Sequence, residues 1–261
     1  MAAELIPTCE VPADFNVSIW RYMDFTKFVS MLIKRGLRGL FFPRLDCLGD
    51  PFEGSFPKLN MDDDLYPVHP SILDPKGYRK SLKGMRQCVK HRRQWVYASC
   101  WYMSEHESPA MWKLYARTEE AVCIRSTFLK LQQSLPNQAL IGCIKYINFE
   151  KEFFNDEPYM TPYVIKRLSF EHEREVRALI DNEDWWKSWC VEMGVWPKST
   201  KVPSPIEGGI WQEVDLAKLI DKVYVAPTAP NWFKETVEQT IQKFDFKFPV
   251  VQSSLDDSPD W

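Results

Sequence analysis

The stretch SFEHEREVRALI, residues 169–180, places Glu171, Glu173 and Glu175 at every second position and follows them with Arg177. On a strand these four side chains share one face, and His172, Arg174, Val176, Ala178 and Ile180 share the other. On a helix, Glu171 and Glu175 stand one turn apart, as do Glu173 and Arg177, which is the pattern of a solvated helix face. The strand reading has a chemical consequence. Carboxylates two positions apart on a strand sit about 6.5–7 Å from each other. At that spacing each disfavours the other's ionisation, and partial burial adds to the effect. A carboxylate so placed is suited to a developing cation. EVRALI is aliphatic and carries no helix stop, so the strand reading is preferred.

Three further stretches offer polar groups in ordered settings. In WRYMDFTKFVSMLIKRGLR, Arg21 and Tyr22 end a strand ahead of a helix closed by Gly36. An arginine there suits a phosphate through its planar fork of donors. The plainer reading is a surface arginine beside a core tyrosine. In CLGDPFEG, Asp50 is placed to accept backbone N–H groups in an Asx-turn, Phe52 to plug into the core and Glu53 to face a site. In ASCWYMSEHESPAMWKLYA, a strand ends in a serine-bearing turn, with Ser99 and Ser104 as the hydroxyls on offer. A helix then opens with Ser108 as N-cap and Pro109 at its first position, its N-terminus free to hold an anion. Trp112 and Tyr115 lie three apart on that helix; they could stack on a ring or be ordinary core.

The elements that must position these groups are short. WVYASCWY, at residues 95–102, is the strongest strand signal, dense in aromatic and β-branched residues. SIWRYMDF, GLFFPRL, EAVCIRST, LIGCIKYI and KVYVAP read as further strands. Helical patterns cover FLKLQQSL, NWFKETVEQTIQKF, the basic residues 76–93 and residues 157–171. Residues 49–75, rich in Pro, Gly and Asp, mark a long irregular connection. Strands outnumber helices in an irregular order. The expectation is therefore α+β: a single domain with a mixed, mostly antiparallel sheet of short strands flanked by helices. Residues 1–17 read as an N-terminal arm, 18–250 as the domain with a Trp-rich part at 181–250, and 251–261 as a tail.

Composition narrows the chemistry. The chain has 261 residues, 45% hydrophobic and 14% aromatic with eleven Trp, enough to fold around a sizeable core. A formal charge of −3 supplies no global field for nucleic acid or anionic membrane, although Lys80–Arg93 could form a local basic patch. Seven unpaired cysteines and no CxxC point to reduced thiols in a cytoplasmic protein. The opening MAAELIPTCEVPADF lacks the basic and apolar regions of a secretion signal, and no apolar run approaches the roughly 20 residues that span a bilayer. No membrane partner is expected. The four histidines are isolated, without HExxH or HxH spacing, so no metal is expected. Rossmann, P-loop and GxSxG patterns are absent.

Taken together, these stretches resemble a prokaryotic family of uncharacterised domains associated with phage defence. The residues that carry the likeness are Arg21-Tyr22, GDPFE at 49–53, Cys100-Trp101 with Ser104, MWKLYA at 111–116, and Lys166 ahead of EREVR at 173–177. Gly49 stands where Asn is usual, and Trp101-Tyr102-Met103 is inserted before the serine. The likeness covers roughly residues 18–180 and implies no activity by itself. A more distant similarity is to ADP-ribosyltransferases, in the order Arg21, then Ser99 or Ser104, then Glu173-x-Glu175. It implies an ADP-ribosyltransferase-like fold and NAD as the bound dinucleotide.

On that resemblance, Arg21 clamps the pyrophosphate and Tyr22 or Trp112 stacks on a ring. Ser99 supports the glutamate, Glu175 is catalytic and Glu173 orients the acceptor. Ser104, Tyr115 and Arg177 complete the expected cofactor contacts. The partners implied are NAD, an acceptor that is protein or nucleic acid, and an antitoxin or other defence-system component. Two other readings stay open. One is a non-enzymatic sensor that binds a nucleotide or partner in an aromatic pocket, with the Trp-rich residues 185–261 as its interaction surface. The other is a metal-dependent nuclease using Asp62, Asp63 and Asp64 with the later glutamates.

Overall fold

The computed structural model describes residues 2–33, 39–62, 73–116, 118–153 and 160–259. The chain opens with β1 (Glu4–Leu5) and β2 (Ser18–Asp24), and β2 runs directly into α1 (Phe25–Leu32). The change of state follows the apolar spacing, because Phe28, Met31 and Leu32 recur at three and four residues and share the buried face of α1. β3 (Gly39–Pro43) and the one-turn α2 (Lys58–Met61) bracket the turn that contains GDPFEG. α3 (Pro75–Arg92) is capped by Asp74, whose carboxylate accepts the Gly77 N–H.

β4 (Val96–Met103) leads to α4 (Pro109–Tyr115), where Ser108 Oγ accepts the Met111 N–H. β5 (Ala121–Thr127) passes into α5 (Phe128–Ser134) through a Thr127 cap on the Lys130 N–H. β6 (Ala139–Cys143), β7 (Lys145–Ile147), β8 (Ile165–Arg167) and β9 (Glu175–Asp181) follow. α6 (Asp184–Glu192), β10 (Gly209–Glu213), α7 (Leu216–Leu219), β11 (Lys222–Val225), α8 (Asn231–Lys243) and β12 (Val250–Gln252) come last.

Eight strands form one sheet in the order β1-β6-β9-β4-β2-β5-β11-β12. It is antiparallel except for β1·β6 and β11·β12, the parallel pairs at its two edges. β3·β10 is an antiparallel ribbon beside it, and β7·β8 a short parallel pair. The architecture is the expected single α+β domain with a mixed, mostly antiparallel sheet. One join in the sheet is incomplete. β2 and β4 pair only at Ile19–Met103 and Trp20–Tyr102, while β2 follows β5 and β4 follows β9 along their lengths. Past Trp20 the two strands part, and a cleft opens where the sheet divides.

Alternation along β4 and β9 separates two apolar layers. Tyr97, Trp101, Val176, Ala178 and Ile180 join the larger core, whereas Val96, Ala98 and Leu179 join a second cluster with Val89, Tyr163 and Ile165. Cys100 and Arg177 are cross-strand partners on the second face, and Glu175 pairs in register with Tyr102, which packs against the larger core. The charged residues of β9 thus point to the smaller layer, next to the division in the sheet.

Several expectations change. Residues 1–17 are not a free arm: Ala3 and Ile6 are buried and β1 closes one sheet edge, because the aliphatic residues there complete apolar layers. Residues 251–252 belong to edge strand β12. LIGCIKYI is divided into β6 and β7, which lie in different sheets. Within 157–171, the described residues from Met160 onward form two 3₁₀ turns flanking β8, not one helix. Phe52 is exposed and packs on Arg167 instead of entering the core. Gly36, expected to close α1, lies outside the described residues.

Candidate functional site

The cleft between β2 and β4 has a volume of about 650 Å³ and is floored by an ion cluster. At its base Arg177, 0% exposed, is held on two sides. Its Nη1 and Nη2 donate to both oxygens of Glu53 at 2.8 and 3.0 Å. Its Nε and Nη2 donate to both oxygens of Glu175 at 2.6 and 3.0 Å. A fifth contact, Nη1 to the Tyr163 carbonyl at 2.9 Å, completes the set. A guanidinium can be taken out of water at tolerable cost only when its donors are matched in this way.

Lys166 lies beside this pair. Its Nζ is 2.5 Å from Glu173, 3.3 Å from Glu53 and 3.4 Å from Glu175. Three carboxylates therefore share two cations, and the cluster carries one net negative charge when all five groups are ionised. Burial opposes ionisation of Glu175, but the Arg177 charge and hydrogen bonds, with Lys166, outweigh it and hold the carboxyl at about 2. Burial likewise opposes the charge on Lys166, yet Glu175 and Glu53 raise its pKa overall. Tyr115 donates its hydroxyl to Glu173 at 3.1 Å, and burial followed by the Glu173 charge raises its pKa. Cys100 is driven well above the usual thiol range by burial and then by Glu175, so it is a poor nucleophile.

Local backbone chemistry explains the convergence. Asp50 Oδ1 accepts the Phe52 N–H at 3.0 Å, the expected Asx-turn, and Arg167 clamps the same carboxylate through donors at 2.7 and 3.2 Å. Gly54 then turns the chain at φ 64°, where an added Cβ would lie 2.9 Å from Arg93 and Leu45. Glu53 is presented inward between these two anchors. On the other side, Leu168–Glu173 is a 3₁₀ turn that ends at Arg174, with φ 38° and ψ 51°. This left-handed residue reverses the path between Glu173 and Glu175, so both reach one ammonium instead of lying parallel along a strand.

Arg21 occupies the opposite wall. Its Nη1 donates to Ser99 Oγ at 3.0 Å, its Nη2 donates to the Phe41 carbonyl at 2.9 Å, and it lies over the Trp101 ring. Burial lowers its pKa to about 10, still a cation at neutral pH. Among the described residues both of its hydrogen-bond partners are neutral. The cleft is therefore bipolar, with an arginine on one wall and a net-negative cluster on the floor.

Of the residues expected from sequence, Arg21, Tyr22, Tyr115, Glu173, Glu175 and Arg177 line this cleft. Their roles are redistributed. Ser99 is wholly buried and binds Arg21 and Trp101 Nε1, with no glutamate among its hydrogen-bond partners, because it lies on the other face of β4. Ser104 sits in the turn after β4, accepting the His106 N–H, away from the cleft lining. Trp112 is buried edge-on against Tyr22, donates to Glu107 and is not part of the cleft lining, so of the two rings only Tyr22 meets the cleft. Arg177 is consumed by Glu53 and Glu175 and is not a cofactor contact. Glu171 and His172 are exposed on the 3₁₀ turn, not on strand faces. The start of α4 is capped by Ser108, whose hydroxyl accepts the Met111 N–H.

Lys166 was reached from sequence only through a resemblance and Asp50 only as a turn residue, whereas Glu53 faces a site as expected. The Trp211 ring at the cleft was not foreseen. Among the described residues no group of three or more His, Cys, Asp or Glu is arranged to hold a metal ion. Asp63 and Asp64 lie outside the described residues. No helix among them is long and apolar enough to cross a membrane. Comparison of the chain with protein-family models, curated proteins and solved structures finds no match.

Proposed function

We propose that this cleft binds NAD and cleaves its nicotinamide–ribose bond, transferring ADP-ribose to an acceptor or to water. The observation that carries the reading is the bipolar cleft, with Arg21 opposite the Glu53–Glu173–Glu175 cluster at the division between β2 and β4. In the reaction the C1′–N bond breaks, its electron pair leaves with neutral nicotinamide, and positive charge develops on the ribose. A fixed carboxylate beside that carbon stabilises the developing charge, and a net-negative floor adds to it. The acceptor then bonds to C1′ and gives up its proton to water.

Glu173 is the carboxylate best placed for this role. Glu175 is occupied by paired hydrogen bonds from Arg177, whereas Glu173 is met by Lys166 and by the Tyr115 hydroxyl at the cleft. Glu175, Glu53 and Arg177 are positioning residues, and Arg21 binds phosphate. The phage-defence resemblance fits an effector that depletes NAD or modifies a protein or nucleic acid. A second reading is a nucleotide-binding sensor. It is favoured by the fact that every carboxylate of the floor already has a cation partner.

The test is nicotinamide release from NAD by the purified protein. Wild type is expected to release it, and Glu173→Gln to lose about 10²–10³-fold in rate while remaining folded. No release by wild type, with NAD still bound, selects the sensor. Undiminished release by Glu173→Gln overturns the assignment.

A further inference from the structure

Trp186, Trp196, Trp211 and Trp232 are among the exposed tryptophans, and of these four only Trp211 lines the cleft. It lies on β10 directly opposite Phe41 of β3, on the face turned away from Leu40 and Phe42, which enter the core. The two rings stand 5.3 Å apart and tilted at 54°, leaving the Trp211 side chain 41% exposed. What sets Trp211 apart from the other exposed tryptophans is its place in the cleft lining beside Phe41 and Arg21. Gly209 makes the arrangement possible. At φ 148° its added Cβ would lie 2.3 Å from the Phe42 carbonyl and 2.8 Å from the Phe41 ring. Any side chain there would push β10 off β3 and displace the pair.

The same β3 backbone holds the phosphate-binding candidate, since Arg21 Nη2 donates to the Phe41 carbonyl itself. An indole open to the cleft and a guanidinium that donates to a hydroxyl and a carbonyl are thus joined through Phe41. We infer that Trp211 and Phe41 form a base-stacking subsite for the purine of a nucleoside 5′-phosphate whose phosphate rests on Arg21. This deepens, and rests on, the nucleotide reading of the cleft. It commits the adenine end of the dinucleotide to the β3·β10 ribbon and the nicotinamide ribose to the Glu173 floor. Charge favours this direction, because the anionic phosphate meets Arg21 and the ribosyl cation meets the acidic cluster.

AMP and ribose 5-phosphate, titrated calorimetrically, separate the parts. Wild type is expected to bind AMP about tenfold or more tightly than ribose 5-phosphate, a difference ascribed to stacking. Trp211→Ala should remove that preference without changing the affinity for ribose 5-phosphate, and Trp211→Phe should restore most of it. Failure of wild type to prefer AMP overturns the subsite. So does a Trp211→Ala variant that keeps the preference or loses both ligands alike. AMP has no nicotinamide bond, so Trp211-dependent AMP binding without NAD cleavage keeps the subsite and removes the enzyme reading. NAD cleavage with AMP binding indifferent to Trp211 does the reverse.

Discussion

Glu53 and Arg177 face each other through two parallel hydrogen bonds of 2.8 and 3.0 Å although 124 positions separate them. The pair joins the Asx-turn after β3 to the middle of β9, which fixes the floor of the cleft relative to the divided sheet. Because the guanidinium has no exposure to water, this contact is an obligation of the fold as well as a feature of the site.

Removing one partner should therefore be costly. Glu53→Gln is expected to destabilise the protein by about 1–3 kcal/mol, since an amide offers one oxygen where Arg177 now has two carboxylate acceptors and leaves a buried donor unmatched. Glu53→Gln combined with Arg177→Met should cost less than the sum of the two single changes. Urea unfolding of the four proteins measures this; a wild-type midpoint for Glu53→Gln alone would refute it.

Acid stability should depend on Glu175. Its pKa falls from an ordinary 4.5 to about 2 in the folded protein. A depressed carboxyl contributes stability that is full above the unfolded value and is lost as pH falls through the folded one. Between about pH 5 and pH 2, wild type should lose more stability than Glu175→Gln, even though the variant starts lower. Denaturant titrations across that range decide the matter, and parallel curves would count against the ion pair.

Arg174 should tolerate glycine and resist branching. At φ 38° a side chain costs about 1–2 kcal/mol relative to the right-handed region. Arg174→Gly is expected to gain about 1 kcal/mol, while Arg174→Val should lose stability and weaken ligand binding together, because the turn that brings Glu173 to Lys166 would open. Thermal unfolding of both variants reads the sign directly.

On the proposed reaction, Arg21 and Glu173 should separate in kinetics. Arg21→Gln removes a contact made in ground and transition state alike and should raise KM for NAD about tenfold or more with little change in kcat. Glu173→Gln should lower kcat and leave KM near wild type. A fall in kcat for Arg21→Gln without a KM effect would move Arg21 out of the binding role.

Much of the scaffold was legible because it is local. Ser18–Asp24, Val96–Met103 and Asn231–Lys243 announce themselves by alternation, aromatic density or helical spacing, and the Ser108 cap by its side chain and the following proline. The shared face of Glu175 and Arg177 followed from strand period alone. What failed was reading that period back through Arg174. No glycine or asparagine marks the left-handed turn there, and contacts of Glu173 with Lys166 and with the sequence-distant Tyr115 hold it in place.

Ser99 shows a different limit. Its place on a strand was right, but which neighbour the hydroxyl would meet depended on the parting of β2 from β4, which lets Arg21 reach across. Trp211 was hidden for a related reason. Its partner Phe41 is distant in sequence, and only strand pairing brings the two rings together.

The depth of Arg177 also constrains the order in which the chain can assemble. β4 and β9 could pair by themselves, but doing so buries a guanidinium whose second carboxylate arrives on the Asp50–Gly54 turn. Until that turn docks, Arg177 keeps its pairing with Glu175 but lacks the two charge-assisted hydrogen bonds to Glu53, so burying it gains less. Docking of the turn and burial of Arg177 are therefore coupled, so that strengthening the turn also tightens the floor of the cleft.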